Sequence, residues 1–253
     1  MKTRIIFFIF ACSLFSLTCC NRETYDEPER TVSINFTVGS MLKSAATTAE
    51  DKIDKIILYT VDDKNQVNNY QTTQSGITLT ISKKVKTFYA IANPTTAMEN
   101  LTSFTDLQNL TCIFDAAPQS PFVMSGKSDV TGSGNINIQL VRMVAKIKIV
   151  APADFKVESL KVTTHKSGYV FERTPFAVPN FSTVTYTFTN ISSPVYLVEN
   201  SGQNTNRTKI EVTGKYQGNP FTPYTFNIKE KDQFVNIVRN TCYDVELDFK
   251  YTN

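Results

Sequence analysis

The chain has 253 residues, with 26 Lys and Arg against 23 Asp and Glu and a formal net charge of +3. So small an imbalance gives no field for gathering nucleic acid or polyanionic substrates, and no nucleic-acid partner is expected. A single His excludes a two-His metal centre, and five Cys in a chain this long do not make a disulfide framework.

Lys2 and Arg4 precede an apolar run from Ile5 to Phe15, the pattern of an export signal. The run is shorter than the roughly 20 residues that span a bilayer. It ends in Leu17, Thr18 and the small Cys19, followed by Cys20, which resembles the lipobox of bacterial lipoproteins. Residues 1–19 are therefore read as a signal peptide and Cys20 as the lipidated first residue of the mature chain. Several acyl chains, at about 0.8 kcal/mol per buried CH₂, hold a protein on a membrane where one would not. Residues 20–30, polar and broken by Pro28, read as a flexible tether. Removal of the signal takes Lys2 and Arg4 and no acid, which brings the charge closer still to zero. Cys112 and Cys242 remain, expected as buried small hydrophobes.

Beyond the tether the pattern has period two. Residues 31–38 set Val32, Ile34, Phe36 and Val38 on one face and Ser33, Asn35 and Thr37 on the other. The alternation returns at 77–81, 135–140, 145–150, 157–162, 183–188, 208–212 and 244–249, with turns at 62–65, 132–134 and 218–220. Short strands of this kind predict a β-sandwich. Residues 54–61 and 88–92 are more continuously apolar, as in central strands. Between Thr96 and Leu110 the spacing of Met98, Leu101, Phe104, Leu107 and Leu110 predicts one or two short helices, opened by a capping box of Thr96 and Glu99. A boundary is expected near Arg142, where one strand follows another almost without a linker. The predicted organisation is all-β: sandwiches at 31–142 and 143–253, with the short helices in the first.

Catalytic constellations are weak. His165 sits beside Gly168 in a polar stretch and reads as an exposed loop residue. Gly126-Lys127-Ser128 lacks the upstream Gly of a phosphate loop, Pro121 standing in its place. Ser40 and Lys43 spell S-x-x-K without the companion motifs of that chemistry. Acid pairs such as Asp51 with Asp54 lie beside lysines and read as solvated surface. No enzymatic activity, metal or cofactor is expected.

Several segments in order resemble the fimbrillin family, the type V pilins exported as lipoproteins by Bacteroidales. They are AEDKIDKIILYTVDD (49–63), FYAIANP (88–94), FVMSG (122–126), VRMVAKIKI (141–149), VYLVEN (195–200) and IVRNTCYDVELDF (237–249). The resemblance implies two transthyretin-like β-sandwich domains in tandem and a lipid-anchored subunit of outer-membrane surface fimbriae. It implies that a trypsin-like protease cuts after Arg or Lys in the loop behind the first strand, so that a neighbouring subunit's strand refills the groove. Lys43, in the loop 39–52, is the candidate cleavage residue, and Arg30 is the competing one. Only residues 244–253 follow Tyr243, which on the same resemblance suits a tip or minor subunit. Partners would be other fimbrial subunits and a host or bacterial surface receptor. Arg142 is expected to tie groups on both sides of the boundary, and Glu199, Asn200, Arg239 and Asn240 to satisfy backbone at strand ends. The alternative is a monomeric surface lipoprotein binding a glycan on a sandwich face. Without Trp, its candidate aromatics are Tyr59, Tyr169, Tyr216 and Tyr224.

The lipobox reading predicts that a Cys20→Ala chain stays a precursor or leaves the membrane fraction. Mature-sized Cys20→Ala protein fractionating with outer membranes would overturn it.

Overall fold

The computed structural model describes residues 28–173, 182–189, 194–201, 206–230 and 233–247. The expected signal peptide, Cys20, residues 20–27 of the tether and residues 248–253 lie outside the described residues. The regular structure of the described residues is almost entirely strand.

The first eight strands are β1 (Glu29–Val38), β2 (Ile56–Asp62), β3 (Val67–Thr72), β4 (Gly76–Ser82), β5 (Val85–Ala92), β6 (Thr111–Ile113), β7 (Met124–Asp129) and β8 (Gly134–Arg142). Seven of them form one sheet in the order β3-β2-β5-β7-β8-β1-β4. β7 and β8 pair only through Met124 with Arg142 and Ser125 with Val141. Beyond that corner the sheet folds over on itself. Val32, Ile34 and Phe36 of β1 consequently share a core with Leu58, Phe88 and Ala90 of β2 and β5. β1 alternates as its sequence requires, with Val32, Ile34 and Phe36 between 0% and 5% exposed. It is an interior strand, antiparallel to β4 and parallel to β8.

β2 and β5 are buried on both faces, which explains their unbroken apolar runs. Their outer face carries Ile57, Tyr59, Tyr89 and Ile91, covered by Met98, Leu107 and Cys112. Met98 lies in a single 3₁₀ turn (Thr96–Met98) and Leu107 in the short helix α1 (Phe104–Gln108). The expected capping box at Thr96 and Glu99 does not form. Thr95 precedes the turn with no side-chain cap, and Glu99 instead pairs with Lys55 at 2.8 Å. The cap that does form is Ser103, whose hydroxyl accepts the Asp106 amide of α1.

The next strands are β9 (Val144–Val150), β10 (Phe155–His165), β11 (Ser167–Tyr169), β12 (Thr183–Phe188), β13 (Val195–Val198), β14 (Lys209–Tyr216), β15 (Asn219–Asn227), β16 (Lys229–Glu230), β17 (Gln233–Phe234) and β18 (Cys242–Glu246). A sheet in the order β12-β10-β14-β15 faces one in the order β13-β9-β18. Ala145, Ile147, Leu160, Val162, Leu197, Ile210, Val212 and Val245 lie in the core between them. β8 and β9 thus belong to different sheets, although only Met143 separates them. The two parts also interlock, since β6 pairs with β11 and Phe171 packs edge-on against Tyr89 at 4.9 Å.

His165 is not the exposed loop residue its neighbours suggested. It ends β10, is fully buried, and neither ring nitrogen has a hydrogen-bond partner. Burial pulls its pKa below the ordinary 6.5, so it is held neutral. Cys112 and Cys242 are both buried and free, as expected, and burial pushes the Cys112 thiol up to about 12.

Gly126 follows the β7–β8 corner, and a Cβ there would run into the carbonyl of Gln139 on β8. Gly126→Ala should therefore force the corner apart and destabilise the fold by about 1–3 kcal/mol. Denaturant unfolding reads this directly, and an unchanged midpoint would show that the corner is loose.

Candidate functional site

The site is the interior strand β1 together with the loop 39–52 that follows it. Three buried side chains of β1, each worth about 1.5–3 kcal/mol, hold it in the first core. Beyond Val38 the chain remains extended. The Gly39 amide donates to the Leu140 carbonyl at 2.8 Å, extending the contact with β8. The burial phase then shifts by one residue: Gly39 and Met41 are buried, while Ser40 and Leu42 are exposed. Leu42 makes a parallel bridge to Thr241, donating to the Asn240 carbonyl and accepting from the Cys242 amide, both at 2.9 Å.

Lys43 comes next, exposed and in the left-handed region at φ 64°. Its ammonium lies 5.4 Å from the centre of the Tyr243 ring, and the Ser44 hydroxyl accepts from Lys148 at 3.3 Å. The candidate scissile bond between Lys43 and Ser44 is therefore on the surface, immediately behind a backbone anchor. Arg30 is placed differently. It lies within β1, paired with Ile81, and its guanidinium donates to the Val85 carbonyl at 2.6 Å.

The far end of the loop is anchored by buried charge. Thr47 and Glu50 form a reciprocal capping box: the Thr47 amide donates to the Glu50 carboxylate, and the Glu50 amide donates to the Thr47 hydroxyl. The Glu50 carboxylate also receives Lys146 of β9 at 2.9 Å and the Tyr196 hydroxyl at 2.7 Å. Burial by itself would raise the Glu50 pKa. The hydrogen bonds from Tyr196, the Thr47 amide and Lys146 outweigh it and hold the carboxyl at about 2. Burial and then the adjoining Glu50 carboxylate push the Tyr196 phenol up.

Arg142 joins both ends of the loop. Fully buried, it donates to the Gly39 carbonyl at 2.9 Å, the Glu50 carbonyl at 3.1 Å and the Asn240 side chain at 2.5 Å. Its remaining nitrogen pairs with Asp51. Asn240, at φ 55°, donates its amide to the Ser40 carbonyl at 2.8 Å. A second buried pair lies nearby. Arg239 holds Glu199 through two hydrogen bonds and also donates to the carbonyls of Tyr169 and Val170. The expected tying role of Arg142 is thus observed, and Glu199, Arg239 and Asn240 serve structure. Asp51 is no solvated bystander, because it neutralises Arg142. Glu50 and Lys146 were not singled out in the sequence. The T-x-x-E spacing at 47–50 could have found Glu50, but nothing near it marks Lys146 as its partner.

Among the described residues no group of three or more His, Cys, Asp and Glu side chains is placed to hold a metal ion. No helix among them is long and apolar enough to cross a membrane. Of the aromatics considered for a glycan face, Tyr59 is fully buried with its hydroxyl on the Met98 carbonyl, which removes it, and Tyr224 is 47% exposed.

No protein-family model matches the chain, and no curated protein matches it. Solved structures do. The tip fimbrial protein Mfa3 of Porphyromonas gingivalis superposes with a TM-score of 0.62 at 13% identity, covering 89% of this chain and 97% of that one. The chain has the fold of fimbrial proteins. A fimbrial assembly protein of Parabacteroides distasonis gives a TM-score of 0.61 at 16% identity, over 87% of this chain and 92% of its own. Fimbrilin FimA of Porphyromonas gingivalis gives 0.57 at 14% identity, over 85% and 88%. Within this fimbrial fold, β1 and its loop are held by the contacts described above.

The buried titratable groups predict acid lability in two stages. Below pH 6.5 the unfolded chain binds a proton that buried His165 refuses, so stability declines there. The Glu50 contribution is complete above pH 4.5 and is lost as pH falls toward about 2. Glu50→Gln, which leaves Lys146 buried without a counter-charge, should cost about 3–5 kcal/mol at neutral pH and flatten the lower stage. Thermal unfolding across this pH range tests both effects, and a variant with wild-type stability and acid response would contradict them.

Proposed function

We propose that the protein is a structural and adhesive subunit of a cell-surface fimbria, belonging to the fimbrillin family and anchored to the outer membrane through lipidated Cys20. In this reading, cleavage after Lys43 frees β1, and a strand from another subunit takes its place. The observation that carries it is the position of β1: an interior strand, buried by alternate side chains, leading straight into an exposed basic residue. Loss of such a strand uncovers an apolar groove and two rows of unpaired backbone groups, so refilling is strongly favoured. The fimbrial neighbours support the same reading, and the tip protein among them is consistent with a tip or minor role.

Arg30 is the poorer site in this scheme. A cut there falls inside the β1–β4 ladder and leaves most of β1 in place. The division into 31–142 and 143–253 rests on the change of sheet at Met143.

The N-terminus of fibre-associated protein tests the proposal. Ser44 is expected, and Lys43→Ala should stop both processing and entry into fibres. Thr31 at the N-terminus would mean release from the membrane without strand loss, and Cys20 would mean a subunit that stays uncut.

A further inference from the structure

We propose that Arg142 and Asn240 form a carbonyl-reading clamp that sets how far an incoming strand must reach. The partner it fits is an extended segment of another subunit that continues past the β8 edge and across to β18. This deepens the proposed function and rests on its strand-exchange reading.

The groove that β1 occupies does not end where β1 ends. Downstream of Val38 the departing segment makes a second set of polar contacts, beyond the backbone ladders that join β1 to β4 and β8. Arg142 reads the Gly39 carbonyl, Asn240 the Ser40 carbonyl, and the Cys242 amide the Leu42 carbonyl. All three donors belong to the part of the chain that stays behind after a cut at Lys43. Arg142 is fully buried, Asn240 is 7% exposed and Cys242 is 3% exposed. Their carbonyl partners leave with β1, and buried donors without acceptors are costly.

A replacement matching only residues 32–38 would refill the apolar groove and leave that end open. A replacement extending to the position of Leu42 would meet both needs. It would place apolar side chains at the Val32, Ile34, Phe36 and Val38 positions, as in β1. It would then shift phase by one residue, with a small residue at the Gly39 position and an apolar one at the Met41 position. A cavity of about 330 Å³ lies beside this stretch, lined by Val38, Gly39, Met41, Asp51 and Arg142 among others. It provides space for a different side chain at the Met41 position.

The test uses full-length protein nicked between Lys43 and Ser44 and labelled synthetic peptides that compete with β1. One peptide copies residues 29–38 and the other residues 29–42. Exchange is followed by fluorescence polarisation, in wild type and in Asn240→Asp. That substitution keeps a side chain tolerant of positive φ and an acceptor for Arg142 but removes the donor to the Ser40 carbonyl. The longer peptide should bind wild type at least about tenfold more tightly, from the hydrogen bonds it adds at the Gly39, Ser40 and Leu42 positions. The advantage should shrink in Asn240→Asp. Equal binding of both peptides to wild type would overturn the clamp and leave strand exchange standing, whereas no binding of either would overturn both. An advantage that persists undiminished in Asn240→Asp would remove Asn240 from the clamp.

Discussion

A guanidinium sealed from water must find a partner for every nitrogen, and Arg142 finds them on three separate segments. Gly39 lies at the exit of β1, Glu50 and Asp51 in the turn that closes the loop, and Asn240 just ahead of β18. A buried guanidinium paired in this way adds little net stability over well-packed apolar groups, yet leaving it without its partners is expensive. What Arg142 contributes, on this reading, is position. The planar, multiply donating guanidinium fixes three backbone segments relative to one another where a lysine would fix one. Lys146 with Glu50 and Arg239 with Glu199 extend the same arrangement to β9 and to the chain around Val170.

The loop 39–52 shows how exposure and order can coexist. Its first residues are hydrogen-bonded to the 240–242 segment, and its last turn is capped by Thr47 and tied to buried Glu50. Ser120 and Asn93 add further bonds to the carbonyls of Ala49 and Lys52. Between these anchors Lys43, Ala45 and Thr47–Ala49 face solvent. A protease reaching Lys43 therefore meets an exposed peptide with fixed flanks. A cut at that bond would leave the Glu50 anchor untouched while removing the covalent hold on β1.

Much of this architecture was legible from alternation alone. β1, β4, β8 and β12 bury one face and expose the other, so period two survives in their residues. β2 and β5 were readable as central strands because both their faces are covered. β3 was not, since VNNYQT is a polar outer strand with little burial to impose a pattern. β7, MSGKSD, carries no apolar alternation to mark it as a strand, and its Gly126 serves close strand approach. β15 begins with Asn219 and Pro220 and carries Pro223, punctuation that an edge strand can accept. Two T-x-x-E segments, at 96–99 and 47–50, are alike in spacing, and only the second caps a turn. In the first, Lys55 has drawn Glu99 away. His165 misled for a related reason: its polar neighbours suggested a loop, whereas β10 carries it into the interior. For the site, Arg142 stood out by its place at the boundary, and Lys43 was a candidate only through the family resemblance. Glu50 and Lys146 meet only through the fold, and no local pattern joins residues so far apart in sequence.

β1 runs antiparallel to β4 and parallel to β8, so β4 and β8 run against each other. A segment lying between them, whichever way it points, has one neighbour of each sense. The ladder thus carries no directional information of its own. Head and tail of anything laid into that slot are decided by the spacing of its apolar side chains and by groups beyond the slot's ends. A polymer built through it would owe its polarity to those few residues rather than to the many backbone bonds that give it strength.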